Sequence, residues 1–210
     1  MLEQTDQSVY NWVMKQVQSV VEVRIRRVAF DLFYRRGYRA VGINEIIREA
    51  GVAKASFYQH FPSKDALFLA YAREKLESES ARLRMAAESW RDPVRRFYAA
   101  LNVLSPWLRS TRFRGCPFLL MRMDAPPELL EVPEICASHR KKLLVLLTDL
   151  TNGLADSDVR YKSLDIHSVA HAYLLLFEGA MAAAVTTRSV EPVERAIRAL
   201  EQLINSPREK

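Results

Sequence analysis

Lys54, Ser56, Tyr58, Gln59, His60 and Lys64 place six hydrogen-bonding side chains within eleven residues. Donors of this kind suit phosphate oxygens and the edges of bases. They do not suit catalysis, because no acid, base and nucleophile converge there. His167 and His171 stand four apart and share a helix face, which is metal-ligand spacing, but no carboxylate or cysteine nearby completes a set. We take that pair as ordinary packing and expect no metal and no cofactor. Glu178 lies inside the apolar run LLLFEGAMAAAV and needs a partner if buried: most simply an interface arginine, and less often a cationic effector. Cys116 follows Arg112, Arg114 and Gly115 and precedes Pro117, a residue favoured at the first position of a helix. A thiol there feels the positive end of the helix dipole, which favours a reactive thiolate. The plainer alternative is that Cys116 is small and apolar, and fills a gap.

The elements that position the first group can be read from spacing. Ile43, Ile46, Ile47 and Ala50 give a short helix one apolar face. Gly51 ends it, because a glycine after a helix takes the left-handed conformation readily. Val52 plugs the turn, and a second short helix spans about 54–60 until Pro62 forbids its continuation. Ser63 can cap a third helix, with Asp65 in its first turn. Two short helices around a tight glycine turn form the pattern of a helix-turn-helix. Upstream, Val28, Ala29, Leu32 and Phe33 face inward on a first helix that ends at Gly37. Arg24, Arg26, Arg27, Arg35, Arg36 and Arg39 cluster around it, as a surface following phosphates would have them. Val9, Trp12, Val13, Gln16, Val17 and Val20 form a weaker stripe before it.

At these residues the chain resembles the TetR/AcrR-type transcriptional repressors. The likeness runs from about Arg26 to Tyr71, through AFDLFYRRGY, GINEII, EAGVAKASFY and HFPSKDAL. The Ala50–Val52 turn, the Phe57–Tyr58 pair and the Phe61–Ser63–Lys64 stop with Leu67 sit at the family's spacing. The resemblance implies that Lys54, Ser56, Tyr58 and His60 face double-stranded DNA and that Lys64 meets a backbone phosphate. Gly42, Asn44, Ala55 and Gln59 belong to the same expected surface. The family often has two hydroxyl residues where this chain has Val41 and Gly42, so bare N–H groups would meet a phosphate there.

The rest of the chain supports an all-α reading. Its 210 residues are 49% hydrophobic with only six glycines. Residues 1–64 hold ten Lys/Arg against six Asp/Glu, a net +4, and the remainder holds twenty-one against nineteen, a net +2. One basic end suits nucleic acid. Two cysteines outside any C-x-x-C motif fit a reducing cytoplasm, no apolar run of eighteen residues is read in the chain, and the apolar segment LLLFEGAMAAAV at 174–185 is taken as too short for a bilayer. After Leu67 the pattern predicts long helices over about 66–89, 93–108, 133–153, 165–188 and 192–204, with a short one at 117–123. Trp107, Cys116, Phe118, Met121, His139, Phe177 and Glu178 are candidates to line a small-molecule cavity between them. The last two helices carry apolar and small residues suited to close association; Ala180, Ala183, Ala184, Ile197 and Leu200 are the candidate contacts of a homodimer. The resemblance implies the same, a two-fold four-helix bundle and a near-palindromic operator.

The expected organisation is therefore an extension at 1–20, a three-helix DNA-binding domain at 21–67, and an effector-binding and dimerisation domain at 68–210. The expected function is a cytoplasmic, ligand-responsive repressor rather than an enzyme. Its alternatives are an all-α enzyme, disfavoured by the lack of any catalytic constellation, and a protein-interaction module without DNA binding.

Overall fold

In the computed structural model, residues 3–109 and 113–206 are described, with side chains from residue 20 onward. All regular structure among them is helical. α1 (Glu3–Arg36) runs without a break through the expected extension into the first helix of the head. The stripe from Val9 to Val17 lies outside the described side chains. α2 (Ile43–Ala50) and α3 (Lys54–His60) follow as the spacing predicts. Gly51 between them is left-handed at φ 61°, and its N–H reaches Arg48 O while Val52 N–H reaches Ile47 O. This paired closure satisfies carbonyls that the helix end would leave open. Ser63 caps α4 (Lys64–Glu88) by accepting the Ala66 N–H at 3.0 Å.

The stretch expected as one helix over 93–108 is three short ones: α5 (Pro93–Phe97), α6 (Ala99–Asn102) and α7 (Leu104–Leu108). Pro106 explains the second break, since it has no N–H to give Asn102 O four residues earlier. α8 (Pro117–Asp124) and α9 (Glu131–Ala155) follow, then a 3-10 turn at Val159–Tyr161. α10 (Ile166–Thr187) and α11 (Glu191–Asn205) end the fold. α10 is 22 residues long and contains an 18-residue window with a mean hydropathy of 1.5, so it is long and apolar enough to cross a membrane, contrary to the expectation. Its hydropathy has a nearer cause. Val169, Ala170, Tyr173, Leu174, Phe177, Ala180, Met181 and Ala184 are buried in this chain. Tyr173, fully enclosed, donates its hydroxyl to Phe97 O at 2.7 Å.

Two apolar clusters divide the interior. The larger joins α4 to α7, α9, α10 and α11. The other packs Ile25, Ala29, Leu32, Phe33, Ile46, Phe57, Leu67, Phe68 and Tyr71 in the head, and takes in Phe118 and Met121 from α8 with Val132 and Ile135 from α9. Each Leu, Ile, Val, Phe or Met among them stabilises the fold by about 1.5–3 kcal/mol on leaving water. The head is thus seated on α8 as well as on α4.

Candidate nucleic-acid interface and a helix-lined groove

α3 buries Phe57 completely and turns Lys54, Ala55, Tyr58 and Gln59 to solvent. Spacings of one, four and five residues put those four on one side of the helix, opposite Phe57. Ser56 is half-buried. At the start of α2, Gly42 and Asn44 are exposed and no side chain caps the helix, so its first N–H groups are open. Two expected residues face elsewhere. His60 keeps only 12% of its side chain exposed, and its Nδ1 lies 3.9 Å from Glu22 Oε2 on α1. Lys64 Nζ donates to Tyr38 O at 3.0 Å and Val41 O at 3.1 Å, and sits 3.9 Å from the centre of the Tyr38 ring. Two of its three donors therefore hold the loop ahead of α2.

The arginine cluster is also largely committed inside the protein. Arg24 donates to Gly51 O at 3.2 Å, Arg26 bonds Glu22 and Glu74, and Arg35 bonds Asp31. Arg36 pairs with Glu45, and Arg39 Nε donates to Asp124 O at 3.2 Å. Arg27, exposed, makes no such contact among the described residues. The cluster braces the head more than it offers a row of free charges.

A groove of about 800 Å³ opens between α8, α9 and α10. Phe118, Leu143, Phe177, Met181 and Val185 form its apolar wall. Cys116, Cys136 and His139 line it as well. His139 stacks flat on Phe118, with ring centres 3.7 Å apart. Burial pushes His139 down to about 4, so the ring is neutral at physiological pH. Burial likewise raises the Cys116 thiol above its ordinary value, despite the N–H groups of Leu119 and Phe118 at the start of α8, and pushes Cys136 up to about 11. Desolvation outweighs the helix end, which favours the plainer reading of Cys116 as a small apolar side chain over that of a reactive thiolate. A second groove, of about 630 Å³, lies between α4, α5 and α9 and is polar, with Arg84, Arg96, Lys141 and Lys142 on its walls.

The sequence profile described as bacterial regulatory proteins, tetR family, matches residues 25–71, which are the head just described. The Escherichia coli K12 HTH-type transcriptional repressor NemR is 26% identical over 186 residues, covering 84% of this chain and 90% of that protein. The crystal structure of SCO4454, a TetR-family transcriptional regulator from Streptomyces coelicolor, superposes with a TM-score of 0.79 at 26% identity, over 97% of this chain and 95% of that one. This chain belongs to the TetR family. It is a DNA-binding transcriptional regulator, and its relatives are not enzymes. A cysteine mutant of the family member CifR, complexed with 26-base-pair operator DNA, shares the fold at a TM-score of 0.69 and 21% identity, over 88% of this chain and 95% of that one.

In this TetR-family regulator the groove gathers Cys116, Phe118, His139, Phe177 and Glu178 of the candidate cavity residues, and excludes two. Trp107 packs edge-on against Phe113 at 4.9 Å and over Tyr34, away from the groove. Met121 turns into the head cluster. Sequence reasoning missed Cys136, Arg140 and Leu143. With His139 they stand at helical spacing along α9, a signal present in the pattern. Glu178 meets Arg140 of its own chain at 3.0 Å, rather than an interface arginine, and the pair is solvent-exposed. His167 and His171 pack ring to ring at 4.3 Å, and no group of three metal-ligating side chains exists among the described residues.

The candidate dimer contacts also divide. Ala180, Ala184 and Leu200 are buried within the chain, and Leu200 is wholly inaccessible, so they cannot present a surface to a second copy. Ile197 is half-buried and Ala183 is exposed. The exposed small and apolar residues of α10 are Leu175, Gly179, Ala182 and Ala183.

Proposed function

We propose that the protein is a repressor that binds a near-palindromic operator as a homodimer, through a DNA-binding domain at 21–67. A small molecule entering the groove of the domain at 68–210 releases it. The observation that carries this is the attachment of α8, which walls the groove, to the head at both of its ends. Ahead of the helix, Tyr34 of α1 donates its hydroxyl to Gly115 O at 3.1 Å and accepts the Arg114 N–H at 2.9 Å. At its far end, Asp124 accepts the Arg39 N–H at 3.1 Å. A ligand that displaces α8 pulls on α1 and on the loop before α2, and so alters the spacing of two recognition helices over adjacent half-sites.

The DNA surface comprises the exposed face of α3 with Gly42 and Asn44. The two-fold contact is made by the exposed stripe of α10 through Ala183, with α11 beside it. Such a regulator works where the chromosome is, in the cytoplasm. Selection from random DNA tests the reading. We expect an enriched motif with two-fold symmetry and a footprint of two half-sites. An enriched site lacking symmetry, or no enrichment at low salt, would overturn it.

A further inference from the structure

We infer that the α8/α9/α10 groove takes an amphipathic anion: an apolar body with one carboxylate or comparable acidic group. This rests on the groove being the effector site proposed above, and it specifies the chemistry. The groove is bordered by three guanidinium groups, Arg114, Arg122 and Arg140, against a single carboxylate, Glu178. That carboxylate is already paired, since Arg140 Nε lies 3.0 Å from Glu178 Oε1. Arg114 and Arg122 make no ion pair or side-chain hydrogen bond among the described residues, and both are exposed at the α8 side of the opening.

The remaining polar groups do not change this sign. His139 is held neutral by burial, and both thiols are held protonated by it. A cationic ligand would meet two uncompensated positive charges and would have to displace Arg140 from Glu178. A neutral apolar ligand would fill the wall of Phe118, Leu143, Phe177, Met181 and Val185 but leave the two free guanidinia unused. An anion with an apolar body uses both, because its acidic group can take the parallel donors of a guanidinium. The volume of about 800 Å³ is within the range of small-molecule sites.

The test compares two fluorescent probes with the same aromatic body on the full-length protein. Anilinonaphthalene sulfonate carries an anion, and phenylnaphthylamine carries none. We expect the sulfonate to bind about tenfold more tightly. Arg114→Gln and Arg122→Gln should each weaken it about fivefold while leaving the neutral probe unchanged. Leu119→Trp fills the groove from an exposed position on α8 and should weaken both probes without changing the thermal midpoint. Equal binding of the two probes, or no effect of either arginine substitution, would overturn the anionic class. Sulfonate binding that survives Leu119→Trp, or that disappears as the protein dimerises, would overturn the groove as its place. Operator release is scored separately. Sulfonate bound as described that leaves the operator complex intact defeats the effector reading and not the ligand class.

Discussion

Asp124 and Arg39 are joined twice: the Arg39 N–H donates to Asp124 Oδ2 at 3.1 Å, and Arg39 Nε donates to the Asp124 carbonyl at 3.2 Å. Gly37 makes room for this junction. Its φ is 85°, and a Cβ there would stand 2.6 Å from Asp124 Oδ2. Gly37→Ala therefore adds left-handed strain to a collision, and should lower stability by about 2 kcal/mol in chemical denaturation. Part of that cost should vanish in an Asp124→Ala background, where the collision is gone and only the strain remains. Equal costs in both backgrounds would mean that the side chain of Asp124 does not approach Gly37 this closely.

Lys54 and Lys64 should respond differently to truncation. Lys54 is exposed on α3 with no partner among the described residues, so Lys54→Ala should leave the melting temperature unchanged and reduce the salt slope of operator binding by about one contact. Lys64 holds two carbonyls of the loop before α2. Lys64→Ala should lower the melting temperature and operator affinity together, with the salt slope little altered. A slope that drops by about one in the Lys64 variant would assign it a phosphate instead.

Charges placed at Ala183 and at Leu200 separate association from folding. Ala183 is exposed, and Ala183→Glu should yield a monomer in sedimentation, with full helical circular dichroism and lost operator binding. Leu200 is inaccessible in the core, so Leu200→Glu buries a carboxylate without a partner and should cost about 3–5 kcal/mol or prevent folding. A dimer that persists in the Ala183 variant would move the two-fold contact to another face.

His139 makes stability depend on pH below neutrality. Its folded value of about 4 lies below the ordinary 6.5, so the unfolded chain binds the proton more readily. The contribution is full above pH 6.5 and is lost as pH falls from there toward 4, by up to about 3 kcal/mol. His139→Phe keeps a ring against Phe118 and cannot be protonated. Denaturation of the two proteins from pH 7 to 4 should show a smaller loss in the variant. Parallel curves would mean that His139 stays solvated.

The sequence by itself determined the head. Ile43, Ile46, Ile47 and Ala50, the Gly51 turn, the span 54–60 and the Ser63 cap are set by hydrogen bonds and contacts within a few residues, so their spacing in the chain is also their spacing in the helix. The tertiary structure decided which candidate residues share a site. Phe118, His139 and Phe177 meet across three helices, while Trp107 and Met121, equally plausible by type, point elsewhere. It also decided whether a group is free or held. Lys64 and His60 read as surface donors until Tyr38, Val41 and Glu22, more than twenty residues away, are brought against them. The same holds for Leu200, whose helical stripe marks an apolar face but does not say whether its cover is this chain or a copy. Periodicity reports that a face is buried, and only the packing of distant elements determines by what.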